Sequence, residues 1–212
     1  MEPRFFKIPT SVGDVSLRVA QGHFATRNSH TNYFVDVTSQ QSCIRDAEAA
    51  AQQLSQRLTQ HLMVDTILCM DGTRVIGTCL AQKLTQGGFR SINAGREIYV
   101  LREHLGTNGK LIFRDNARSM LEGKNILLLL ASVTTGGTVR KGIECIEYYN
   151  GSVVGIAAIY SHLKEIDGVP ITSLFDTNDL PGYASYLPEE CPMCRDKQEL
   201  DAVVDKFGYS AL

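Results

Sequence analysis

Short apolar runs alternate along the chain with segments whose apolar residues recur at helical spacing. Residues 64–70 (VDTILCM) form an apolar run that predicts a buried strand. Residues 45–62 (RDAEAAAQQLSQRLTQHL) are rich in helix formers, and their pattern predicts an amphipathic helix. Its predicted apolar face contains Ala49, Leu54, Leu58 and Leu62.

The same alternation continues to the second half of the chain. Residues 71–88 predict a turn, a helix and a Gly-Gly stop, and residues 91–101 return to extended chain. Residues 124–130 (KNILLLL) are too short for a membrane span but suit a central parallel strand buried on both faces. A helix over 139–151 and a strand over 152–160 follow. This strand-helix rhythm predicts an α/β fold.

Composition argues against several classes of protein but does not indicate a function. The 212 residues, 43% hydrophobic and 21% charged, suffice for one sizeable core with room for a small subdomain. A net charge of −2 gives no electrostatic signature of nucleic-acid binding. The first residues lack the apolar centre of a signal peptide, and no run approaches the roughly 18 apolar residues of a membrane helix, so we expect a cytoplasmic protein.

Residues 127–138 (LLLLASVTTGGT) contain the strongest functional signal. They predict a buried strand, a Thr/Gly loop and a helix that begins near Thr138. Backbone amides in such a turn form a concave nest, and the helix N-terminus adds partial positive charge, so a phosphate would fit there. The alternative is a plain glycine turn. The loop is not a Walker motif, because no Gly-Lys-Ser/Thr follows.

These residues and several other segments resemble the type I phosphoribosyltransferases, and among them the bacterial orotate phosphoribosyltransferases. The resemblance covers residues 22–194 in the family's order. The matching segments are GHFATRNSHTNYF for the base site, VDTILCMDGTRVIG for a strand and pyrophosphate loop, YVLREHLGTNGK for the mobile segment over the site, SVVGIAAIY and VPITSLFD for the last strands, and LPEECPMC for a tail found in one branch.

The resemblance implies a single domain over 1–212, with a doubly wound, mainly parallel sheet. A small hood would come from about 1–40 and 175–212, and ligand would bind at the carboxyl ends of the strands. The implied reaction is displacement of magnesium-bound pyrophosphate from phosphoribosyl pyrophosphate (PRPP) by a small nitrogen base. It also implies a homodimer in which the Arg102 segment reaches the neighbouring site.

Carried over residue by residue, the resemblance assigns a role to each part of the site. Arg102 would close over the pyrophosphate with Lys110 as a second cation, although Lys110 also reads as a solvated loop lysine. Phe24 and Arg27 would border the base, although Phe24 equally suits the core. Backbone amides would meet the pyrophosphate at Met70, Asp71, Gly72 and Thr73. The 5′-phosphate loop would consist of Ser132, Val133, Thr134, Thr135, Gly136, Gly137 and Thr138.

The chain departs from the family pattern at Leu130 and Ala131. Family members carry two adjacent acids there, which hold the ribose hydroxyls and favour positive charge on the ring. Neither side chain here accepts a hydrogen bond, and Ser132 is neutral, so catalysis could fall on the order of a hundredfold or more. A second departure is Asp71, whose charge would repel diphosphate or reach it through magnesium.

Two classes of function therefore stay open. One is a phosphoribosyltransferase with impaired catalysis on a pyrimidine-like or other small base, and the other is a non-catalytic protein that binds or senses a nucleotide. Arg102 discriminates between them, because a monophosphate sensor has little use for a cation aimed at pyrophosphate.

The pair Cys191 and Cys194 raises the question of a metal. Structural zinc takes four ligands and one CxxC supplies two, so we assign no metal ligand from the sequence. His162 and Cys43 are remote candidates to complete such a site. A redox CxxC lacks a thioredoxin-like context, and a simple tail turn is the third alternative. The six cysteines otherwise fit reduced thiols.

Overall fold

Two β-sheets and the helices around them make up the computed structural model, which describes residues 3–10, 15–27, 29–58, 61–86, 91–107, 109–205 and 208–212. The strands are β1 Phe5–Pro9, β2 Ser16–Ala25, β3 His30–Asp36, β4 Thr66–Cys69, β5 Tyr99–Arg102, β6 Asn125–Val133, β7 Ser152–Ser161, β8 Glu165–Ile166, β9 Val169–Phe175, β10 Ser185–Tyr186, β11 Ala202–Asp205 and β12 Gly208–Ala211. The helices are α1 Thr38–Ser42, α2 Ile44–Arg57, α3 Arg74–Thr85, α4 Asp115–Arg118, α5 Gly137–Tyr148 and α6 Pro192–Arg195, with a 3₁₀ turn at Pro188–Glu190.

The central sheet has the strand order β5-β4-β6-β7-β9-β8. All its neighbours pair in parallel except β8 and β9, which form an antiparallel edge. Helices α2 and α3 cover one face, and α5 covers the other. The predicted α/β fold with a doubly wound, mainly parallel sheet is confirmed.

Strand β6 lies in the middle of this sheet and is buried on both faces. Leu127 and Leu129 pack on the side of α2 and α3. Leu128 and Leu130 pack on the side of α5. This alternation follows from the two-residue period of a strand, and the double burial explains why its sequence is a continuous apolar run.

A second sheet draws its strands from both ends of the chain. Its order is β10-β3-β2-β11-β12, and β1 also pairs with β2. We call these six strands the hood sheet. Because β2 pairs in parallel with β11, the early hairpin β2-β3 is joined directly to the last strands of the chain.

The first predicted helix ends earlier than expected. Helix α2 stops at Arg57 instead of continuing to residue 62, and Leu58 is extended with ψ of 141°. The Arg57 side chain donates hydrogen bonds to the carbonyls of Ser173 and Leu174, while Leu58 turns into the core. Tertiary contacts thus override local helix propensity at this end.

The chain after α3 is less extended than the sequence predicted. Residues 92–95 form turns, and β5 begins only at Tyr99. Asn93 is buried and bonds to the Val64 amide and the Leu62 carbonyl, which pins these turns beneath the sheet. The predicted Gly-Gly stop at 87–88 lies outside the described residues. None of the helices within the described ranges is long and apolar enough to span a bilayer.

Candidate functional site

Two loops meet at the carboxyl ends of the neighbouring strands β4 and β6. The chain continues from β4 towards β5 on one side, whereas β6 is followed by β7 on the other side. Such a switch point leaves a crevice at the sheet edge. Here the crevice is a cavity of about 540 Å³, walled by both loops, by the hood sheet and by parts of the 103–111 segment.

The loop after β6, residues 134–138, has its backbone amides available. Among the described residues, none accepts a backbone hydrogen bond from the amides of Thr134 to Thr138. Gly136 caps helix α5 with φ of +80°, and a Cβ there would approach Ile166 Cδ1 to 2.7 Å. Glycine is therefore required for this turn. The free amides and the helix N-terminus together form an anion-binding nest.

The side chains around this loop divide between cavity and core. Thr135 and Thr138 are exposed and line the cavity with Thr134 and Ser132, whereas Val133 is buried under α5. Lys141, one turn into α5, lines the same cavity and supplies a positive charge near the loop. The strand-loop-helix setting that the sequence predicted is present, and it brings hydroxyls, amides and a cation to one place.

The loop after β4, residues 70–73, has most of its amides already paired. The Met70 amide donates to the Leu129 carbonyl, and the Thr73 amide donates to the Met70 carbonyl. The Asp71 amide donates to Glu103 Oε1 at 3.2 Å. Of this loop, only the Gly72 amide lacks a hydrogen bond to a described residue. In this conformation the loop offers an oxyanion far fewer donors than the sequence predicted.

Thr73 is a structural residue of this loop. It is completely buried, and its hydroxyl lies 2.8 Å from the Met70 carbonyl and 3.0 Å from the Leu129 carbonyl. Asp71 adopts φ of +52°, held by the Gln41 amide group, which donates to the Asp71 carbonyl at 2.5 Å. The backbone turn is therefore fixed by protein contacts.

The charged residues that line the cavity are mostly acidic. The acids that line the cavity within the described part of the chain are Asp36, Asp71, Glu103 and Asp205, and the cations there are Arg27 and Lys141. Arg102 and Lys110, the two predicted cations of the mobile segment, are exposed and are not among the described lining residues. Their contact with the ligand, which the resemblance places at the neighbouring site for the Arg102 segment, stays a prediction.

No protein-family model matches the chain. The orotate phosphoribosyltransferase of Caldicellulosiruptor bescii is 30% identical over 149 residues, which cover 69% of this chain and 70% of that relative. The chain belongs to the orotate phosphoribosyltransferase family.

Solved structures agree with this membership at the level of the fold. An adenine phosphoribosyltransferase from Thermoanaerobacter pseudethanolicus aligns with a TM-score of 0.50 and 20% identity, covering 68% of this chain and 88% of that one. The Mycobacterium tuberculosis orotate phosphoribosyltransferase in complex with Fe(III) dicitrate aligns with a TM-score of 0.51 and 16% identity, covering 78% and 93%.

Positions 130 and 131, where the family resemblance leads us to expect acids, face different surroundings. Leu130 is completely buried and packs in the layer beneath α5. Ala131 lines the cavity, next to Ser132. Since neighbouring residues of a strand point to opposite faces, the two replacements are not equivalent. Only position 131 presents its side chain directly to the ligand space.

The part of the cavity where a base was predicted to bind differs from that prediction at Phe24. Phe24 is fully buried and packs against Phe34 in the hood sheet, so its ring belongs to the core and is absent from the described cavity wall. Arg27 does line the cavity. The sequence left two alternatives for Phe24, a position beside the base or a position in the core. The structure favours the core.

Sequence reasoning missed a group of tyrosines at the cavity. Tyr33 and Tyr183 stack with ring centroids 6.4 Å apart, and Tyr160 packs against Tyr183 at 5.6 Å. All three line the cavity. The Tyr160 hydroxyl is buried without a hydrogen-bond partner among the described residues, and burial raises the pKa of Tyr183 to about 12. Tyr160 is the last residue but one of the apolar strand β7, and its position at the carboxyl end of that strand was the available signal.

The CxxC pair also has different neighbours from those considered in the sequence. Cys191 and Cys194 lie beside His23 and His30 of the hood sheet. Cys43 instead caps α2, and His162 packs on Tyr183. His23 and His30 are seven residues apart and meet because β2 and β3 form a hairpin. Burial, and secondarily the neighbouring His23, lower the pKa of His30, which favours its neutral ring.

Proposed function

We propose that this protein binds the 5′-phosphate of PRPP or of a nucleotide at residues 134–138, and that its transfer of phosphoribosyl to a nitrogen base is impaired. The observation that carries this proposal is the run of amides from Thr134 to Thr138, which have no hydrogen-bond partner in the described part of the chain and lie at the wall of the cavity. Amides that already point at open space bind an oxyanion without breaking protein hydrogen bonds.

Impaired transfer follows from the ribose contacts that position 131 offers. An oxocarbenium-like transition state gains from a nearby carboxylate, and Ala131 supplies none. Ser132 lines the cavity and replaces one hydrogen bond but no charge. The other expected acid position, Leu130, is part of the apolar layer under α5 and supports no ribose contact.

The acidic residues beside residues 70–73 favour a ligand that binds together with Mg²⁺. Asp71 and Glu103 line the cavity and are joined by the Asp71 amide, so their carboxylates supply the hard oxygen ligands that Mg²⁺ prefers. Bound there, Mg²⁺ would neutralise part of the diphosphate charge. Without it, the two acids oppose a diphosphate through like-charge repulsion.

We propose that the base is small and pyrimidine-like and that it binds against Tyr33, Tyr160 and Tyr183. Tyr33 and Tyr183 present stacked rings, and the unpaired hydroxyl of Tyr160 gains a partner when a ligand offers a polar atom. Arg27 lines the same cavity and could meet a carboxylate or carbonyl of the base.

The test is calorimetric titration of the full chain with uridine monophosphate, PRPP and orotate, with and without Mg²⁺. Pyrophosphate release is then measured across a panel of bases. We expect the monophosphate to bind and turnover to be slow or undetectable. Rapid turnover with orotate would overturn the impaired-transfer proposal, and absence of binding by both phosphate ligands would overturn the phosphate site.

A crystal grown with uridine monophosphate tests the same site directly. We expect phosphate oxygens within hydrogen-bond distance of the amides of residues 134–138. A phosphate held only elsewhere in the cavity would contradict the proposal.

A non-catalytic nucleotide-binding or sensing role is the second candidate. The observation that favours it is the position of Arg102, which lies outside the described cavity wall of its own chain. If the family's homodimer forms, the 102–110 segment would instead serve the neighbouring cavity. Sedimentation of the pure protein, with and without PRPP, decides between these: a monomer in both states favours the sensing role.

A further inference from the structure

Four side chains from both ends of the chain converge at one edge of the hood sheet. His23 and His30 come from the β2-β3 hairpin, and Cys191 and Cys194 come from the turn into α6. One potential ligand atom from each residue lies within 4.8 Å of all the others. His23 and Cys191 are buried, and Cys194 is exposed, so the cluster has one side open to solvent.

Four of the six separations between these atoms are close to those of a tetrahedral zinc site. His23 Nε2 lies 3.0 Å from His30 Nδ1. Cys191 Sγ lies 3.5 Å and Cys194 Sγ 3.6 Å from His23 Nε2, and Cys194 Sγ lies 3.2 Å from His30 Nδ1. Bonds of about 2.0 Å to nitrogen and 2.3 Å to sulfur at tetrahedral angles place two nitrogens about 3.3 Å apart, and a nitrogen and a sulfur about 3.5 Å apart.

The surroundings of His23 orient its ring for this role. Its Nδ1 lies 3.0 Å from the carbonyl of Gln198, so a proton on Nδ1 is donated there and Nε2 keeps its lone pair for the cluster. Lys197, with φ of +58°, makes the reversal that brings Gln198 to this position. Asp201 accepts a hydrogen bond from the His23 amide and donates its own amide to the His23 carbonyl.

We propose that His23, His30, Cys191 and Cys194 bind one Zn²⁺ ion in a structural site that fastens the end of the chain to the β2-β3 hairpin. Two cysteine sulfurs and two imidazole nitrogens, placed so that one tetrahedral metal ion could contact all four, are a ligand set typical of structural zinc. All four positions are taken by protein, which leaves none for water or substrate. The site is therefore structural, with Cys194 at the entry path.

The consequence for the cavity is indirect. The turn between the two histidines contains Thr26, Arg27 and Ser29, and all three line the cavity. A metal that fixes the two ends of this turn holds the wall of the base-binding end in place, and its removal would loosen that wall.

The test is zinc analysis of the full chain purified under reducing conditions, in wild type, Cys194→Ser and the control Cys43→Ser. Cys43 is a partly buried free cysteine outside the cluster. We expect about one zinc per chain in wild type and control, and at least tenfold weaker zinc binding in Cys194→Ser. Cobalt should give the absorption of a tetrahedral thiolate site in wild type and in Cys43→Ser but not in Cys194→Ser. A chelator should lower the Tm of the wild type and leave that of Cys194→Ser unchanged.

Alkylation of the wild type keeps the proposal testable if Cys194→Ser does not fold. Zinc should protect Cys191 and Cys194 from iodoacetamide until chelator is added, while Cys43 reacts equally in both states. Folded, reduced protein that takes up neither zinc nor cobalt would overturn the proposal. So would a Cys194→Ser variant that binds zinc as tightly as wild type, or a Cys191–Cys194 disulfide in place of metal in the protein as purified.

Discussion

The loops after β4 and β6 occupy equivalent places in the fold but differ in what their backbone offers. Both follow a buried parallel strand, and both contain a left-handed residue, Gly136 in one and Gly72 in the other. In residues 134–138 the amides have no partner among the described residues, whereas in residues 70–73 most are paired within the protein. The capacity to bind an anion thus depends on which amides are unpaired, and glycine content alone does not reveal it.

The charge beside each loop strengthens this contrast. Lys141 lines the cavity near residues 134–138, whereas Asp71 and Glu103 border the other loop. We expect the first loop to bind phosphate by itself and the second to depend on a cation. The following substitutions are designed to test that difference.

Thr138→Glu should have the largest effect. A carboxylate in the first turn of α5 is compatible with the helix, but it would repel the phosphate, and we expect affinity for uridine monophosphate to fall on the order of a hundredfold. Thr78→Glu, on an exposed position of α3, is the matched control and should bind like wild type in calorimetry. Unchanged affinity in Thr138→Glu would mean that phosphate binds elsewhere.

Thr73→Val should separate structure from binding in the other loop. The substitution leaves the carbonyls of Met70 and Leu129 without the Thr73 hydroxyl, so the free energy of unfolding should fall by about 1–3 kcal/mol in urea titration. Affinity for the monophosphate should be unchanged. Thr78→Val, at an exposed threonine of α3, should be close to neutral, and an equal loss there would remove the structural role of Thr73.

Ala131→Asp should raise turnover of PRPP with orotate by about tenfold over the wild-type rate, because it restores one carboxylate at the cavity wall. Ala131→Asn is the matched control for side-chain size and should not raise turnover. If both variants are equally active, charge at this position is not what limits catalysis. Leu130→Glu is less informative, because it would bury a carboxylate beneath α5.

Glu103→Gln should have the smallest effect of the four substitutions. Its effect on pyrophosphate affinity should depend on Mg²⁺. Glutamine keeps an oxygen that can accept from the Asp71 amide but removes the charge. Without Mg²⁺, inorganic pyrophosphate should bind about threefold more tightly at low salt, and with Mg²⁺ the gain should disappear or reverse. Glu122→Gln, on an exposed side chain, is the control. Tighter binding that persists with Mg²⁺ would argue against a cation between these acids.

The fold and the phosphate loop could be predicted because their signals are local. The apolar run of β6 and the Thr/Gly turn after it depend on neighbours in sequence, and the structure keeps that strand, turn and helix. The early end of α2 could not be predicted, because it depends on Arg57 reaching carbonyls of β9.

Site details that depend on distant contacts were beyond the sequence. A phenylalanine at position 24 is compatible both with stacking on a base and with packing in the core. Its contact with Phe34 depends on the hood sheet, which the sequence does not reveal. The pairing of the Asp71 amide needs Glu103 from another strand end. The histidines beside the CxxC pair lie far from it along the chain, although two histidines flanking a short turn were a usable signal.

The pairing of β2 with β11 has a consequence for the order of folding during synthesis. The strands of the central sheet lie between Thr66 and Phe175 and can assemble as soon as that stretch has left the ribosome. The hood sheet is completed only after Ala202–Asp205 has been synthesised, so β2 spends most of translation without its parallel partner β11. The wall that carries Arg27 is then the last part of the cavity to form, so residues 134–138 would be in place before the cavity is closed on that side.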